Sequence, residues 1–175
     1  MGLLKQPLLR LFMNQKEKIL SVIIPVFNEG THLEDFLHHL LKAPCALKRE
    51  WIFIDDCSED NSLTILKSFQ KVYPFILLTN KKNKGKGHSI SKGIKIATGD
   101  FIIIQDADFE YNPLEIPQLI RPLVEEKADA VFGNRFYSKD KRKTFFKTYI
   151  INKLLTSLSN LFTGMKISDM ETCYK

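Results

Sequence analysis

Cysteine is scarce in this sequence, and the cysteines present follow no pattern that binds a metal or builds a disulfide framework. Cys45, Cys57 and Cys173 are three in number and include no CxxC pair. The chain also has no N-x-Ser/Thr sequon, the glycosylation acceptor of secreted proteins. Neither a disulfide-stabilised secreted domain nor a cysteine zinc site is indicated, and a reducing, cytosol-facing compartment is the simplest prediction.

Long apolar runs are also missing. The apolar stretch at residues 1–13 is interrupted by Lys5, Pro7 and Arg10, and no small-residue cleavage site follows it, which makes it a poor signal peptide. It is also too short to span a bilayer. We expect residues 1–18 to form a frayed N-terminal extension, with a segment lying on a membrane surface as the alternative.

Arg-rich runs and aromatic–basic repeats are absent as well. The net charge of +6 is compatible with nucleotides, anionic lipid headgroups or nucleic acid, but nothing in the pattern favours nucleic acid. An apolar fraction of 44% over 175 residues is enough for a sizeable core. Because no repeat or Pro/Gly-rich linker divides the chain, we predict one globular domain.

Short apolar runs alternate with amphipathic helical patterns, and this alternation predicts an α/β fold. The runs are rich in β-branched or aromatic residues and bounded by polar turns, as strands covered on both faces are. We therefore predict a mostly parallel sheet flanked by helices on both faces. Strands are predicted at residues 19–25, 51–55, 75–79, 101–105 and 128–133, and helices at 32–42, 63–72, after Asn112, and at 150–162. The last helix is predicted to pack in the core, with a membrane interface as the alternative.

Acidic residues come directly after the predicted strands. Ligands of open α/β sheets bind at this edge, beyond the carboxyl ends of the strands. Asp106 and Asp108 follow the fourth strand, and two carboxylates there can hold Mg²⁺ or Mn²⁺ together with substrate phosphates. A solvated turn is the alternative for a lone D-x-D, but the preceding apolar strand favours the metal. Asp55 and Asp56 follow the second strand and suit a metal, a nucleotide base or the positive end of the next helix.

A basic, glycine-rich segment at residues 83–88 opens a further helical pattern. Its backbone amides, together with Lys84 and Lys86, offer a geometry suited to anions. The segment is neither a Walker A sequence nor a complete GxGxxG. Turn glycines with solvated lysines are the alternative interpretation.

Six segments in order resemble the motifs of family 2 glycosyltransferases, and most of all those of dolichol-phosphate mannose synthases and bacterial polyprenyl-phosphate sugar transferases. They are VIIPVFNE at 22–29, IDDCSED at 54–60, NKGKG at 83–87, QDAD at 105–108, GNRF at 133–136 and DMETCYK at 169–175. The resemblance covers residues 19–175, which we expect to form the catalytic domain. Because members of the family continue past the last motif, this domain is expected to be truncated at its C-terminal end.

The resemblance implies a GT-A fold with a donor site, a metal site and an acceptor site. Phe27 replaces the usual Tyr, which keeps the stacking face and loses a hydroxyl. Asp108 and Arg135 are the residues implied in catalysis. The donor nucleotide is expected at Pro25, Phe27, Asn28, Glu29, Asp56, Lys84, Asp106, Ala107 and Asp108, Mg²⁺ or Mn²⁺ at Asp106, Asp108 and Glu110, and the acceptor phosphate at Arg135, Arg142 and Lys147.

The reaction implied by the resemblance is the inverting transfer of a hexose from a nucleotide-sugar, of the GDP-mannose or UDP-glucose type, to a polyprenyl or dolichyl phosphate. A phosphate acceptor is already ionised near neutral pH, so no strong general base is required. Such an enzyme is expected at the cytoplasmic face of a membrane, as a peripheral protein on the membrane surface or with a membrane-anchored partner.

Three alternatives stay open from the sequence. A family 2 transferase with a polysaccharide or lipid-sugar acceptor needs a base, for which Asp169 or Glu171 is a candidate. A non-catalytic nucleotide-binding fragment needs only the donor motifs. A metal-binding phospho-acceptor signalling module also places acids at strand ends, but it requires Thr or Ser and a Lys at later strand ends, which residues 133–135 do not supply.

Overall fold

The computed structural model describes residues 17–109, 111–134 and 146–174, with side chains described from residue 149 onward in the last range. These residues form a parallel sheet of four strands in the order β3-β2-β1-β4. The strands are β1 Ile19–Val26, β2 Lys48–Asp55, β3 Ile76–Thr79 and β4 Phe101–Ile104. Because every pairing is parallel, all four carboxyl ends lie at one edge of the sheet.

Five α-helices occur in the described ranges, and a 3₁₀ turn at Pro113–Glu115 leads into the fourth of them. The helices are α1 Leu33–Lys42, α2 Ser62–Gln70, α3 Lys86–Ile94, α4 Ile116–Val124 and α5 Phe146–Thr163. The predicted start after Asn112 is confirmed, since its side-chain oxygen accepts the Leu114 backbone N–H at 3.0 Å. The parallel α/β architecture is also confirmed.

Alternating side chains of β1 divide the core between the two faces of the sheet. Leu20, Val22 and Ile24 are fully buried in a cluster with apolar side chains of α1, α2 and α4. Ile23 belongs to a second cluster with Ile52 and Ile54 of β2. This alternation places helices on both sides, as period-2 side-chain geometry requires.

Helix α3 approaches the second face through Gly93. A Cβ at this residue would lie 2.6 Å from Cγ2 of Ile23 and 3.0 Å from Cδ1 of Ile54. The glycine therefore allows the helix backbone to pack directly on β1 and β2. Gly93 has an ordinary helical φ, so this close approach, and not a special backbone conformation, requires a glycine.

Glu50 stabilises the amino-terminal edge of the sheet, which lies opposite the carboxyl ends of the strands. Its carboxylate accepts bonds from the Ser21 hydroxyl at 2.5 Å, the Thr98 backbone N–H at 2.9 Å and the Thr98 hydroxyl at 2.7 Å. Burial raises the pKa of Glu50, but these hydrogen bonds lower it by more, so its net pKa is below the ordinary value. The ionised carboxylate therefore links β1 and β2 to the turn that enters β4.

The prediction of a fifth strand at residues 128–133 is wrong. No residue from Ala128 to Asn134 is in a strand, although this range is fully described. A cavity of about 700 Å³ lies between β4 and the segment, lined by Phe101, Ile102 and Ile103 on one side and by residues 128–132 on the other. The segment forms no ladder with β4, and the Gly133 N–H donates to the Tyr174 carbonyl at 2.9 Å.

Core packing is also a wrong prediction for the apolar face of α5. Leu154 is 60% exposed, Leu161 is 76% exposed and Phe162 is 83% exposed, whereas Thr156 is buried. Elements in the described ranges therefore leave most of this face uncovered. No helix among the described residues has both the length and the apolar character that crossing a bilayer requires.

Gly93→Ala should lower the free energy of unfolding by about 1–3 kcal/mol, because the new methyl group overpacks the contact with Ile23 and Ile54. Gly87→Ala on the same helix is the matched control, since a Cβ there meets nothing within 4 Å. This control should be neutral or gain up to about 1 kcal/mol from helix propensity. Urea unfolding followed by circular dichroism measures both, and equal midpoints for the two variants would contradict the close-packing argument.

Candidate functional site

A cavity of about 320 Å³ opens at the carboxyl edge of the sheet. It lies where β1, β2 and β4 end and where α3 begins. The lining residues are Pro25, Val26, Phe27, Glu29, Asp56, Asn83, Gly85, Lys86, Asp106, Ala107 and Asp108. The larger cavity beside β4 contains none of these strand-end residues. We place the site in the smaller cavity, because acids, a lysine and an exposed aromatic ring converge there.

Asp56 holds the loop that forms one wall of this cavity. Its carboxylate accepts the Asn80 side-chain N–H at 2.7 Å, the Lys84 backbone N–H at 3.0 Å and the Gly85 backbone N–H at 2.7 Å. Burial raises the pKa of Asp56, but these bonds lower it by more, so the group is ionised at neutral pH. With 3% of its surface exposed, Asp56 shapes the wall and offers little surface to a ligand.

The turn after β1 is tied to the turn after β2 by hydrogen bonds. Asn28 has a positive φ of 56°, its N–H donates to Ser58 Oγ at 3.0 Å, and its side-chain oxygen accepts the Glu59 N–H at 2.8 Å. Asp60 accepts the Gly30 N–H at 2.8 Å and the Ser62 N–H at the start of α2. Asn28 therefore has the role of a turn residue that aligns the two loops.

Three carboxylates share the floor of the cavity. The pKa of Glu29 is raised by its burial and then by the negative charges of Asp108 and Asp106, with Asp60 adding a smaller effect that His32 opposes. This crowding of like charge fits a divalent cation, because a cation would relieve the repulsion and carboxylate oxygens are its preferred ligands. In the described ranges, however, no group of three His, Cys, Asp or Glu side chains is close enough to hold a metal.

The side chains of Lys86 and Cys173 both contact the carboxylate of Asp106. The Lys86 ammonium lies 2.5 Å from Asp106 Oδ1 and 3.5 Å from the Cys173 sulfur. Burial raises the pKa of the Cys173 thiol, and the nearby Asp106 carboxylate raises it further, to about 12, against the opposing effect of Lys86. Cys173 is therefore a protonated thiol at neutral pH and not a nucleophile.

A buried polar network fixes the last described residues beside the site. The Tyr174 hydroxyl donates to Gln105 Oε1 at 2.8 Å, and the Cys173 N–H donates to the Tyr111 hydroxyl at 3.0 Å. The Gln105 amide in turn donates to the Asp106 carbonyl at 3.0 Å. The network therefore joins the segment at 173–174 to the turn that carries Asp106, and it keeps Cys173 against the carboxylate.

Most of the predicted donor residues meet in the cavity. Those that line it are Pro25, Phe27, Glu29, Asp56, Asp106, Ala107 and Asp108, whereas Asn28 and Lys84 are not among the lining residues. The backbone N–H of Lys84 is bound by Asp56, and the residue itself is exposed. Glu110, Arg135 and Arg142 lie outside the described residues, as does the side chain of Lys147.

Five residues at the site were not among those assigned to the donor, the metal or the acceptor from the sequence. They are Val26, Asn83, Gly85, Lys86 and Cys173. The basic segment at 83–88 did indicate an anion site, but it gave no sign that Lys86 and not Lys84 faces the acids. That choice depends on the turn at Gly85, whose φ is 84°, and on the bonds from Asp56 that set the start of α3.

The sequence model described as Glycosyl transferase family 2 matches residues 21–175. The chain belongs to glycosyltransferase family 2. A family relative, dolichol-phosphate mannosyltransferase of Pyrococcus furiosus, is 31% identical over 121 residues, which are 69% of this chain and 34% of that protein. Undecaprenyl-phosphate 4-deoxy-4-formamido-L-arabinose transferase of Shewanella sediminis is 32% identical over 163 residues, 89% of this chain and 47% of that protein. The chain therefore spans less than half the length of these two relatives.

Solved structures show the same fold. S. aureus TarS 1-349 in complex with UDP-GlcNAc gives a TM-score of 0.55 at 23% identity, covering 77% of this chain and 43% of that one. Glucosyl-3-phosphoglycerate synthase from Mycobacterium tuberculosis, in complex with Mn²⁺, UDP and phosphoglyceric acid, gives 0.51 at 22% identity, covering 61% and 39%. These similarities establish the GT-A fold that the family motifs implied.

Tyr174→Phe should lower the free energy of unfolding by about 1–3 kcal/mol, because it leaves the buried Gln105 side-chain oxygen without its donor. Tyr73→Phe is the matched control, since Tyr73 is 39% exposed and its ring keeps its contact with Phe69. Urea unfolding compares the two variants. A Tyr174→Phe protein as stable as the control would contradict the role of the network.

Proposed function

We propose that this chain is the donor-binding part of a family 2 transferase that moves a hexose from a nucleotide-sugar to a polyprenyl phosphate. The observation that carries the proposal is the meeting of Asp106, Asp108 and Glu29 with Lys86 and the exposed Phe27 ring in one cavity at the carboxyl edge of the sheet. The proposal concerns a chain that covers less than half of its named relatives.

The donor nucleoside is proposed to bind between Pro25 and Phe27. The Phe27 side chain is 41% exposed at the cavity, so its ring is available to stack on a base. Glu29 lines the same cavity and can accept hydrogen bonds from hydroxyl groups. Asp56 contributes indirectly, since its oxygens hold the backbone of residues 84–85 in place and Gly85 lines the cavity.

Asp106 and Asp108 are proposed to hold Mg²⁺ or Mn²⁺, with Glu110 as a further ligand. Two described carboxylates at one turn and the raised pKa of Glu29 beside them support this assignment. When bound, the metal supplies positive charge that offsets the negative charge of the departing diphosphate. The Asp106 oxygen already attracts a cation, because Lys86 makes its ion pair there.

The proposed acceptor is the phosphate of a polyprenyl or dolichyl lipid. One of its oxygens forms a bond to the anomeric carbon while the bond from that carbon to the diphosphate breaks, so the configuration inverts and the nucleoside diphosphate leaves. Arg135 is proposed to orient the acceptor phosphate, with help from Arg142 and Lys147. The names of the two relatives, which specify dolichol phosphate and undecaprenyl phosphate, support this acceptor class.

A phosphate acceptor is preferred on the names of the two relatives, and of the two candidate bases for a hydroxyl acceptor Asp169 is buried whereas Glu171 is exposed. A hydroxyl would need a base that reaches it, whereas Asp169 is 1% exposed and accepts the Glu171 N–H at 3.2 Å. The exposed apolar side chains of α5 are consistent with action at a lipid surface. We propose a peripheral location at the cytoplasmic face of a membrane, or beside a membrane-anchored partner.

Asp108→Asn should weaken Mn²⁺-dependent binding of UDP or GDP at least about tenfold, since even a change in the outer shell of a metal site has that effect. Asp35→Asn, an exposed substitution on α1, is the matched control and should bind like the unmodified protein. Isothermal titration with and without Mn²⁺ gives both affinities. Metal-independent binding that is unchanged in Asp108→Asn would remove the support for this metal assignment.

A donor screen with polyprenyl phosphate should yield one productive nucleotide-sugar. GDP-mannose, UDP-glucose and UDP-GlcNAc are each incubated with the lipid and Mn²⁺, and the expected products are a glycosylated lipid phosphate and a free nucleoside diphosphate. Release of nucleotide only when the lipid is present supports transfer. Nucleotide binding without product would favour a non-catalytic fragment, and labelling of an Asp by acetyl phosphate would favour the signalling alternative.

A further inference from the structure

Lys86 occupies an unusual position for a cation. It is the first residue of α3, and the first turn of that helix contains no acidic residue. The positive end of the helix dipole disfavours an ammonium group there. Asp106 compensates for this by holding the Lys86 ammonium at 2.5 Å, across the gap between α3 and the turn after β4. The first turn of α3 thus carries a basic residue where an acidic one is favoured, and such exceptions are expected at functional sites.

The ion pair uses an oxygen that the proposed metal site also needs. A divalent cation on Asp106 would bring two positive groups within a few ångströms of each other, at which distance they repel strongly. The Asp106 side chain is 16% exposed, so the carboxylate has little surface for a second cation while Lys86 is paired with it. Lys86 and the metal therefore compete for one carboxylate.

The Lys86 side chain is able to leave Asp106 without moving its backbone. Its side chain is 51% exposed, and its four-carbon stem is flexible. The preceding residue, Gly85, is held by the Asp56 carboxylate at 2.7 Å, which fixes the start of α3. An ammonium released from Asp106 thus stays at the cavity, whose lining includes both Lys86 and the backbone of Gly85.

We propose that Lys86 is a positioning residue that neutralises Asp106 in the nucleotide-free protein. When metal and nucleotide bind together, its side chain leaves Asp106 and forms an ion pair with the donor diphosphate. This inference rests on the proposed function. It makes metal binding depend on nucleotide, because the diphosphate brings a new anion for Lys86 together with the metal.

Titration of Mn²⁺ into protein without nucleotide tests the competition directly. Lys86→Met should bind Mn²⁺ about tenfold more tightly than the unmodified protein, because a repelling charge is removed from the site. With saturating Mn²⁺, the same variant should bind UDP or GDP about tenfold more weakly, because a charge-assisted contact is lost. Lys86→Arg keeps the positive charge and should retain weak metal binding without nucleotide.

Lys82→Met is the matched control, since Lys82 is an exposed lysine of the same loop and does not line the cavity. It should change neither affinity. Unchanged or weaker nucleotide-free Mn²⁺ binding in Lys86→Met, with normal Mn²⁺-dependent nucleotide binding in the unmodified protein, would overturn this inference alone. Absence of Mn²⁺-dependent nucleotide binding in every protein tested would overturn the proposed function and the inference with it.

Discussion

The carboxylate of Asp56 accepts hydrogen bonds from a residue that follows β3 and from the two residues that precede α3. Asp56 itself follows β2, and its N–H is bound by the Val26 carbonyl at the end of β1. One ionised group thereby joins three strand ends to a helix start. Removal of this carboxylate would leave two backbone N–H groups without their acceptor, and the wall that carries Lys86 would no longer have a fixed position.

The opposite wall depends on contacts made far along the chain. Asp106 follows β4, and the side chain next to it, Gln105, is fully buried and bonded to Tyr174. Cys173 is brought against Asp106 by the same segment. Lys86 and Asp106 are therefore positioned by two separate hydrogen-bond networks, one centred on Asp56 and one on Gln105. The ion pair between Lys86 and Asp106 connects the two networks.

The sequence was sufficient to predict the four strands, the helices and the convergence of acids, because hydrophobic periodicity and the parallel α/β rules are local or topological. It was not sufficient for the segment at 128–133, whose apolar pattern is typical of a strand, because a strand also needs a paired neighbour and a cavity lies between this segment and β4. It also did not establish the turn role of Asn28, since that role depends on Ser58 and Glu59, about thirty residues away. Selecting Lys86 over Lys84 required the backbone turn at Gly85.

Gly93 lies seven residues after Lys86, which is close to two turns of an α-helix, so both residues face the same side of α3. The contact of Gly93 with Ile23 and Ile54 therefore sets the rotation of the helix about its own axis. That rotation determines the direction in which the Lys86 side chain leaves the helix. The direction of a charged group in the cavity is thus determined by apolar atoms in the core. Exchanging Ile23 or Ile54 for a residue of another shape would therefore change the direction of Lys86 without altering any polar residue.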